Sequence, residues 1–194
     1  MSEEAWAVPR MRDDPDFDLV RAMAAGDSQA LESLYARHGP GLLTYLVAQL
    51  GQRAVAEEVL QDVMLAAWNG AAHFRGDSQV RTWLLSIARH RAANARRRRT
   101  PGRAPLDEET LVAGDPHPST SLEQQEKRGS IRRALTQLSE EQRETLELVF
   151  FHELSGDEVA LVTGVALGTV KSRLHRAKAA LRKLLEREEA GNAR

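Results

Sequence analysis

Residues 155–174 read SGDEVALVTGVALGTVKSRL, two short helical patterns meeting at a glycine. No other stretch constrains the fold as strongly. Ala160 is small where two helices must cross closely. Gly164 follows four residues later, where a turn needs a left-handed backbone, and Val165, Val170 and Leu174 are spaced to close a miniature core. The spacing predicts a helix-turn-helix whose second helix begins near Gly168. That helix continues as TVKSRLHRAKAAL and offers Thr169, Lys171, Ser172, Arg173, His175, Arg176 and Lys178. Hydroxyl and amine donors suit phosphates, and arginine forks suit guanine edges in a major groove. The plainer reading is a helical hairpin with a solvated basic face.

The formal charge is only -1, yet it is strongly segmented. Residues 1–80 carry -6, residues 81–103 carry +8, residues 104–168 carry -8 and residues 169–194 carry +5. Two basic blocks set between acidic ones suit contact with a polyanion at two defined places.

Helical periodicity dominates elsewhere, and strand-like alternation is hard to find, so the expected class is all-α. Asp27 or Ser28 can cap a helix through His38, and Pro40 suits the first turn of another that Gly51 ends after Leu50. Residues 53–69 form a third, with Val55, Val59, Val63 and Ala67 on one apolar face. A fourth runs from about Ser78 to Arg98. Between 100 and 120 the stretch TPGRAPLDEETLVAGDPHPST loses apolar periodicity and reads as a flexible linker. Ser121 with Gln124, Ser139 with Gln142 and Ser155 with Glu158 have capping-box spacing. The division expected is an N-terminal extension at 1–13, a helical domain at 14–99, the linker, a helix-turn-helix domain at 121–189 and a tail at 190–194.

Two further groups stand out. In AEEVLQDVMLAAW, residues 56–68, Glu58, Gln61, Asp62 and Leu65 lie at i, i+3, i+4 and i+7 opposite the valine stripe, a face that could dock on a partner or stay solvated. In FRGDSQVRTWLLSIARHRAANARRRR, residues 74–99, no acid follows Asp77 until Asp107, so the helix is an electrostatic track for phosphates. The loop at Gly76, Asp77 and Ser78 could hold an unstacked base, with Phe74 and Trp83 as possible stacking surfaces; core packing beside Ile87 is the plainer role for Trp83.

With no cysteine there is no disulfide or thiolate metal site, which fits the cytoplasm. The six histidines are scattered without ligand spacing, and the paired carboxylates lack a nearby nucleophile, so neither a metal, a cofactor nor an enzyme is expected. The uncharged stretch His38 to Gln52 is too short to span a bilayer, and no signal peptide pattern opens the chain.

Taken together, the motifs resemble the extracytoplasmic-function group of bacterial sigma-70 factors over nearly the whole chain. AEEVLQDVMLAAW resembles the core-polymerase-binding helix, and FRGDSQVRTWLLSIARHRAANARRR the segment for the melted minus-ten element. LSEEQRETLEL with LSGDEVALVTGVALGTVKSRLHRAKAAL resembles the minus-thirty-five reader. Glu58 stands where Asp is common and Met64 where an aromatic is usual; Gly156 and Thr163 are less typical. The resemblance implies a cytoplasmic sigma factor binding the beta-prime and beta subunits of core RNA polymerase through Glu58, Gln61, Asp62 and Leu65. It implies minus-ten contacts from Phe74, Gly76, Asp77, Ser78, Arg91, Asn94, Arg96, Arg97 and Arg98, on single-stranded promoter DNA. The helix-turn-helix would read duplex promoter DNA, and an anti-sigma factor would be a further partner. The rival readings are a free-standing helix-turn-helix repressor or activator, which would normally dimerise on a palindrome, and an adaptor binding an acidic protein. No dimer seam is visible.

Overall fold

The computed structural model describes residues 14–99, 129–131 and 133–192. The sequence-based linker at 100–120, the Ser121 cap and the extension at 1–13 lie outside the described residues. Regular structure among those described is entirely helical. In chain order, α1 spans Phe17–Ala24, α2 Ser28–Leu50, α3 Arg53–Gly70, a 3-10 turn Ala71–His73, α4 Val80–Arg99, α5 Glu140–Phe150, α6 Gly156–Thr163 and α7 Leu167–Asn192. Residues 129–131 and 133–136 are also helical. The tail expected from residue 190 is helical through Asn192.

Two elements differ from the sequence reading. α2 is one helix through Pro40, where two helices separated near His38 were expected. Proline removes one i to i−4 bond and usually breaks or kinks a helix. Here Ala36, Arg37, Pro40 and Gly41 are exposed, so the carbonyl left unpaired lies on the wet side, while Leu34, Leu42, Tyr45 and Leu46 are buried on the other. Burial of that face, worth about 1.5–3 kcal/mol per large apolar side chain, outweighs the defect. The second difference is α1, which the sequence reading left without a helix of its own. It buries Val20 and Met23 at i, i+3 spacing.

The end signals behave as their chemistry dictates. Asp27 accepts from the Gln29 and Ala30 N–H groups, and Gly51 closes α2 at φ 72°. Ser139 with Gln142 and Ser155 with Glu158 both form reciprocal capping boxes, and Gly164 ends α6 at φ 71°.

One apolar core runs from Val20 and Met23 through Leu34, Tyr45, Val63, Leu84 and Ala88 into Leu148, Val159 and Val170. A smaller cluster joins Leu135, Leu138, Leu146, Leu174 and Ala177. The α1–α4 region and the α5–α7 region therefore pack on each other, α4 against α6 most extensively. Buried polar groups cross this junction. Glu144 accepts from Tyr45 Oη at 2.7 Å and from Arg89 Nε at 2.9 Å. Glu158 accepts from the Thr82 hydroxyl at 2.7 Å, and Glu147 from Gln49 Nε2 at 3.2 Å. Burial pushes the Glu147 carboxyl up to about 8; the Gln49 bond and Arg143 oppose this and the Glu144 charge adds to it. Burial, helped by the Arg81 charge, lowers His152 to about 4, and its ring meets Tyr45 edge-on at 5.8 Å.

Candidate polymerase and nucleic-acid interfaces

α3 buries Val59, Val63 and Ala67 and leaves Glu58, Gln61, Asp62 and Leu65 exposed on the opposite face. Leu65 is 59% exposed, a large apolar side chain standing among carboxylates. An exposed apolar side chain ringed by polar and charged ones has the make-up that suits docking on a partner.

After α3 the chain turns through Ala71–His73 into the loop that carries Phe74, Gly76, Asp77 and Ser78. A cavity of about 340 Å³ opens here, bounded by Gly70, His73, Phe74, Arg75, Asp77, Ser78 and Trp83. Phe74 stacks on Trp83 at 4.7 Å and 29°, and Phe17 of α1 packs against Phe74 at 6.0 Å with its ring tilted by 50°. Trp83 and Ile87 are both partly buried against the core. The two aromatics offered as stacking surfaces thus stack on each other, and together they form one wall of the cavity. Gly76 holds φ 72°, and a Cβ there would lie 2.9 Å from Phe17 Cε2.

The basic helix α4 divides into spent and available cations. Arg89 is paired with Glu144, and Arg96 reaches Glu140 at 3.4 Å, so both contact α5. Arg97 is exposed and donates to Asn94 Oδ1; Arg98 is exposed, and Arg91 is partly so. The sequence reading assigned Arg96 to DNA and did not single out Arg89, because the acids that meet them lie in the second helical region.

On α7, Thr169, Lys171, Ser172, His175, Arg176 and Lys178 are exposed while Val170, Leu174 and Ala177 are buried. Arg173 is half-buried. The Glu141 carboxyl is held below the usual range by its own backbone N–H first, then by the Ser139 hydroxyl, with a smaller contribution from the Arg173 guanidinium. Arg176 folds back along its helix, donating from Nη2 to Ser172 Oγ at 2.8 Å. Lys178 Nζ lies 5.1 Å over the Phe150 ring.

Two residues near the loop escaped the sequence reading. Asp14 Oδ2 accepts from the Val80 N–H at 2.7 Å, and Phe17 supports Phe74. No local pattern announces either contact. Among the described residues no group of three or more histidines and carboxylates is placed to hold a metal ion, and no helix is long and apolar enough to cross a membrane.

A helix-turn-helix behind a capping box, with a separate basic helix leading from a loop cavity, defines a DNA-reading protein with two helical regions. Residues 34–101 match the family model described as Sigma-70 region 2, and residues 128–181 match that of Sigma-70, region 4. The chain is 37% identical over 173 residues to the ECF RNA polymerase sigma factor SigM of Mycobacterium tuberculosis strain H37Rv, covering 88% of this chain and 84% of the relative. It is 33% identical over 159 residues to the ECF RNA polymerase sigma factor RpoE of Cereibacter sphaeroides, covering 80% and 86%. The solved sigma factor RpoE from Bartonella quintana, in complex with the anti-sigma factor NepR, superposes with a TM-score of 0.65 at 28% identity, covering 80% of this chain and 96% of that one. The chain belongs to the sigma-70 family, in its extracytoplasmic-function group, and is a non-enzymatic initiation factor that directs RNA polymerase to promoters.

Proposed function

We propose that the exposed α3 face docks on core polymerase while the loop cavity and α7 read two promoter elements. Glu58, Gln61, Asp62 and Leu65 engage the beta-prime subunit, with the beta subunit contacting the second region. The loop at Phe74, Gly76, Asp77 and Ser78 takes an unstacked non-template base of the minus-ten element, and Arg91, Asn94, Arg97 and Arg98 hold its phosphates, joined by Arg96 once it leaves Glu140. Thr169, Lys171, Ser172, Arg173, His175, Arg176 and Lys178 contact minus-thirty-five duplex. Residues 14–99 and 121–189 act as the two reading units, joined through 100–120, in the cytoplasm. An anti-sigma protein is a further partner, as in the NepR complex of the Bartonella quintana relative.

The observation that carries this reading is the loop cavity, bounded by Arg75 and leading into the basic helix α4, in a chain whose other basic helix sits in a helix-turn-helix. A duplex-only repressor has no use for such a cavity. Capture of core polymerase by the tagged chain separates the two. Retention of core, with single-stranded minus-ten DNA bound only by the resulting complex, supports the sigma reading. Tight duplex binding with no polymerase retained would replace it with the repressor.

A further inference from the structure

The loop cavity is held in shape by a segment that precedes the matched Sigma-70 region 2, residues 34–101. Asp14 accepts from the N–H of Val80, the first residue of α4, at 2.7 Å, and its other oxygen accepts from the Asp16 N–H at 2.9 Å. Asp16 is buried and in turn binds Arg37 and His38 of α2, the latter at 2.7 Å. Phe17 then lies under the loop, against Phe74 and directly beneath Gly76.

A short polar residue just ahead of a helix ordinarily folds back to cap it. Gln79 holds that place, its carbonyl accepting from the Trp83 N–H at 3.0 Å, and its long side chain is a poor cap; Asp77 and Ser78 are the short polar residues just before it. Yet among the described residues neither accepts from a helix N–H; Ser78 donates to the Gln79 carbonyl at 3.3 Å, and Asp77 is exposed at the cavity rim. Asp14 supplies the cap from outside the loop, and Asp77 stays exposed at the cavity rim. A cap from within the loop would draw it toward α4 and narrow the space beside Trp83.

We infer that Asp14 and Phe17 are positioning residues for promoter base recognition: Asp14 caps α4 in place of a side chain of the loop itself, and Phe17 sets the height of the loop over the cavity. This rests on the proposed minus-ten role of that cavity. Neither residue touches DNA; each acts through the loop.

The test uses holoenzyme assembled from the full chain and core polymerase. The probe is a forked DNA pool with a duplex upstream arm and a single-stranded non-template minus-ten stretch randomised at each position, with the bound fraction sequenced. The wild-type chain is expected to show a clear base preference at one or more single-stranded positions. Asp14→Ala should flatten that preference roughly three- to tenfold, the scale of one net hydrogen bond, while leaving core binding and the upstream duplex preference intact. Asp14→Asn, which keeps an acceptor for Val80, should restore it, and Phe17→Leu should flatten it. Should Asp14→Ala not fold, Phe17→Leu and Asp14→Asn carry the comparison alone. Full wild-type preference in the Ala and Leu variants would overturn the inference and leave base reading by the loop intact. Equal loss of upstream preference and core binding would also overturn it, as a general structural effect. A wild-type profile with no single-strand preference would remove the base-reading role and this inference with it.

Discussion

Gly164 and Gly76 share a left-handed backbone, at φ 71° and 72°, but differ in surroundings. Nothing lies within 4 Å of a Cβ on Gly164, whereas one on Gly76 would meet Phe17 at 2.9 Å. Gly164→Ala should therefore cost only the backbone term, about 1–2 kcal/mol. Gly76→Ala should cost more, because the Phe17 ring must shift against Phe74; equal losses in thermal melts would contradict the contact. The need for Gly164 was legible because its helix-turn-helix is local, while that for Gly76 depends on a ring far away in the chain. Arg173 and Lys178 divide similarly. Arg173 sits early in α7, and its loss should relax preference at one base pair by ~1–3 kcal/mol. Lys178→Ala should weaken all upstream sequences alike and lower the salt slope by about 1. Binding across single-base variants at two salt concentrations checks both, and a uniform loss for Arg173→Ala would assign it to the backbone.

The four exposed residues of α3 form an element-scale feature, since helical spacing alone gathers them. Replacing Glu58 and Asp62 by Lys should weaken binding to core polymerase and leave the helical circular dichroism unchanged; unaltered affinity would remove the docking face. Glu158 links two scales, because one oxygen completes the capping box of α6 and the other binds Thr82 of α4. Ser155→Ala should cost about 1 kcal/mol. Glu158→Ala should cost more, since it also strands the buried Thr82 hydroxyl; similar melting losses would count against the second role. The helices of the helix-turn-helix were legible from period and caps, α3 and α4 from period alone. α2 was not, because a proline stop signal was overridden by the burial of Leu34, Tyr45 and Leu46. α1 is short, and its two buried side chains give a weak pattern beside acidic neighbours.

For the whole molecule, charge counting was least informative where it looked simplest. Residues 104–168 carry -8 and read only as an acidic spacer between two basic blocks, yet Glu144, Glu147 and Glu158 are buried and meet the first helical region. These contacts make the junction sensitive to pH. Glu147 is raised from 4.5 to about 8 in the fold, so the folded chain holds an extra proton between those values. Its stabilising contribution is complete below about 4.5 and is lost as pH rises through 8. His152 is lowered from 6.5 to about 4, so its contribution is complete above 6.5 and is lost as pH falls toward 4. The two oppose each other below 6.5. Above it only the Glu147 slope remains, so stability should fall from pH 6.5 to 8, and Glu147→Gln should flatten that fall. Denaturant titrations across this range test the pair; a wild-type slope retained by the variant would exclude Glu147 as its source. The junction also bears on function. About 25 base-pair steps of ~3.4 Å separate the two promoter elements, or ~85 Å, whereas a compact chain of this length has a radius of gyration of about 16 Å. Reading both elements at once therefore requires the two helical regions to part. A pair of dyes on α3 and α7 should move apart when core polymerase binds, and an unchanged separation would show that the packed form itself engages polymerase.

What this chain gives core polymerase is a choice of promoter. Run-off transcription on a library of genomic fragments measures it directly, with core polymerase, with the chain, and with both. Discrete start sites that require both components, preceded by a shared pair of upstream elements, are the expected result. The same transcripts from core polymerase alone, or transcription only repressed when the chain is added, would contradict it.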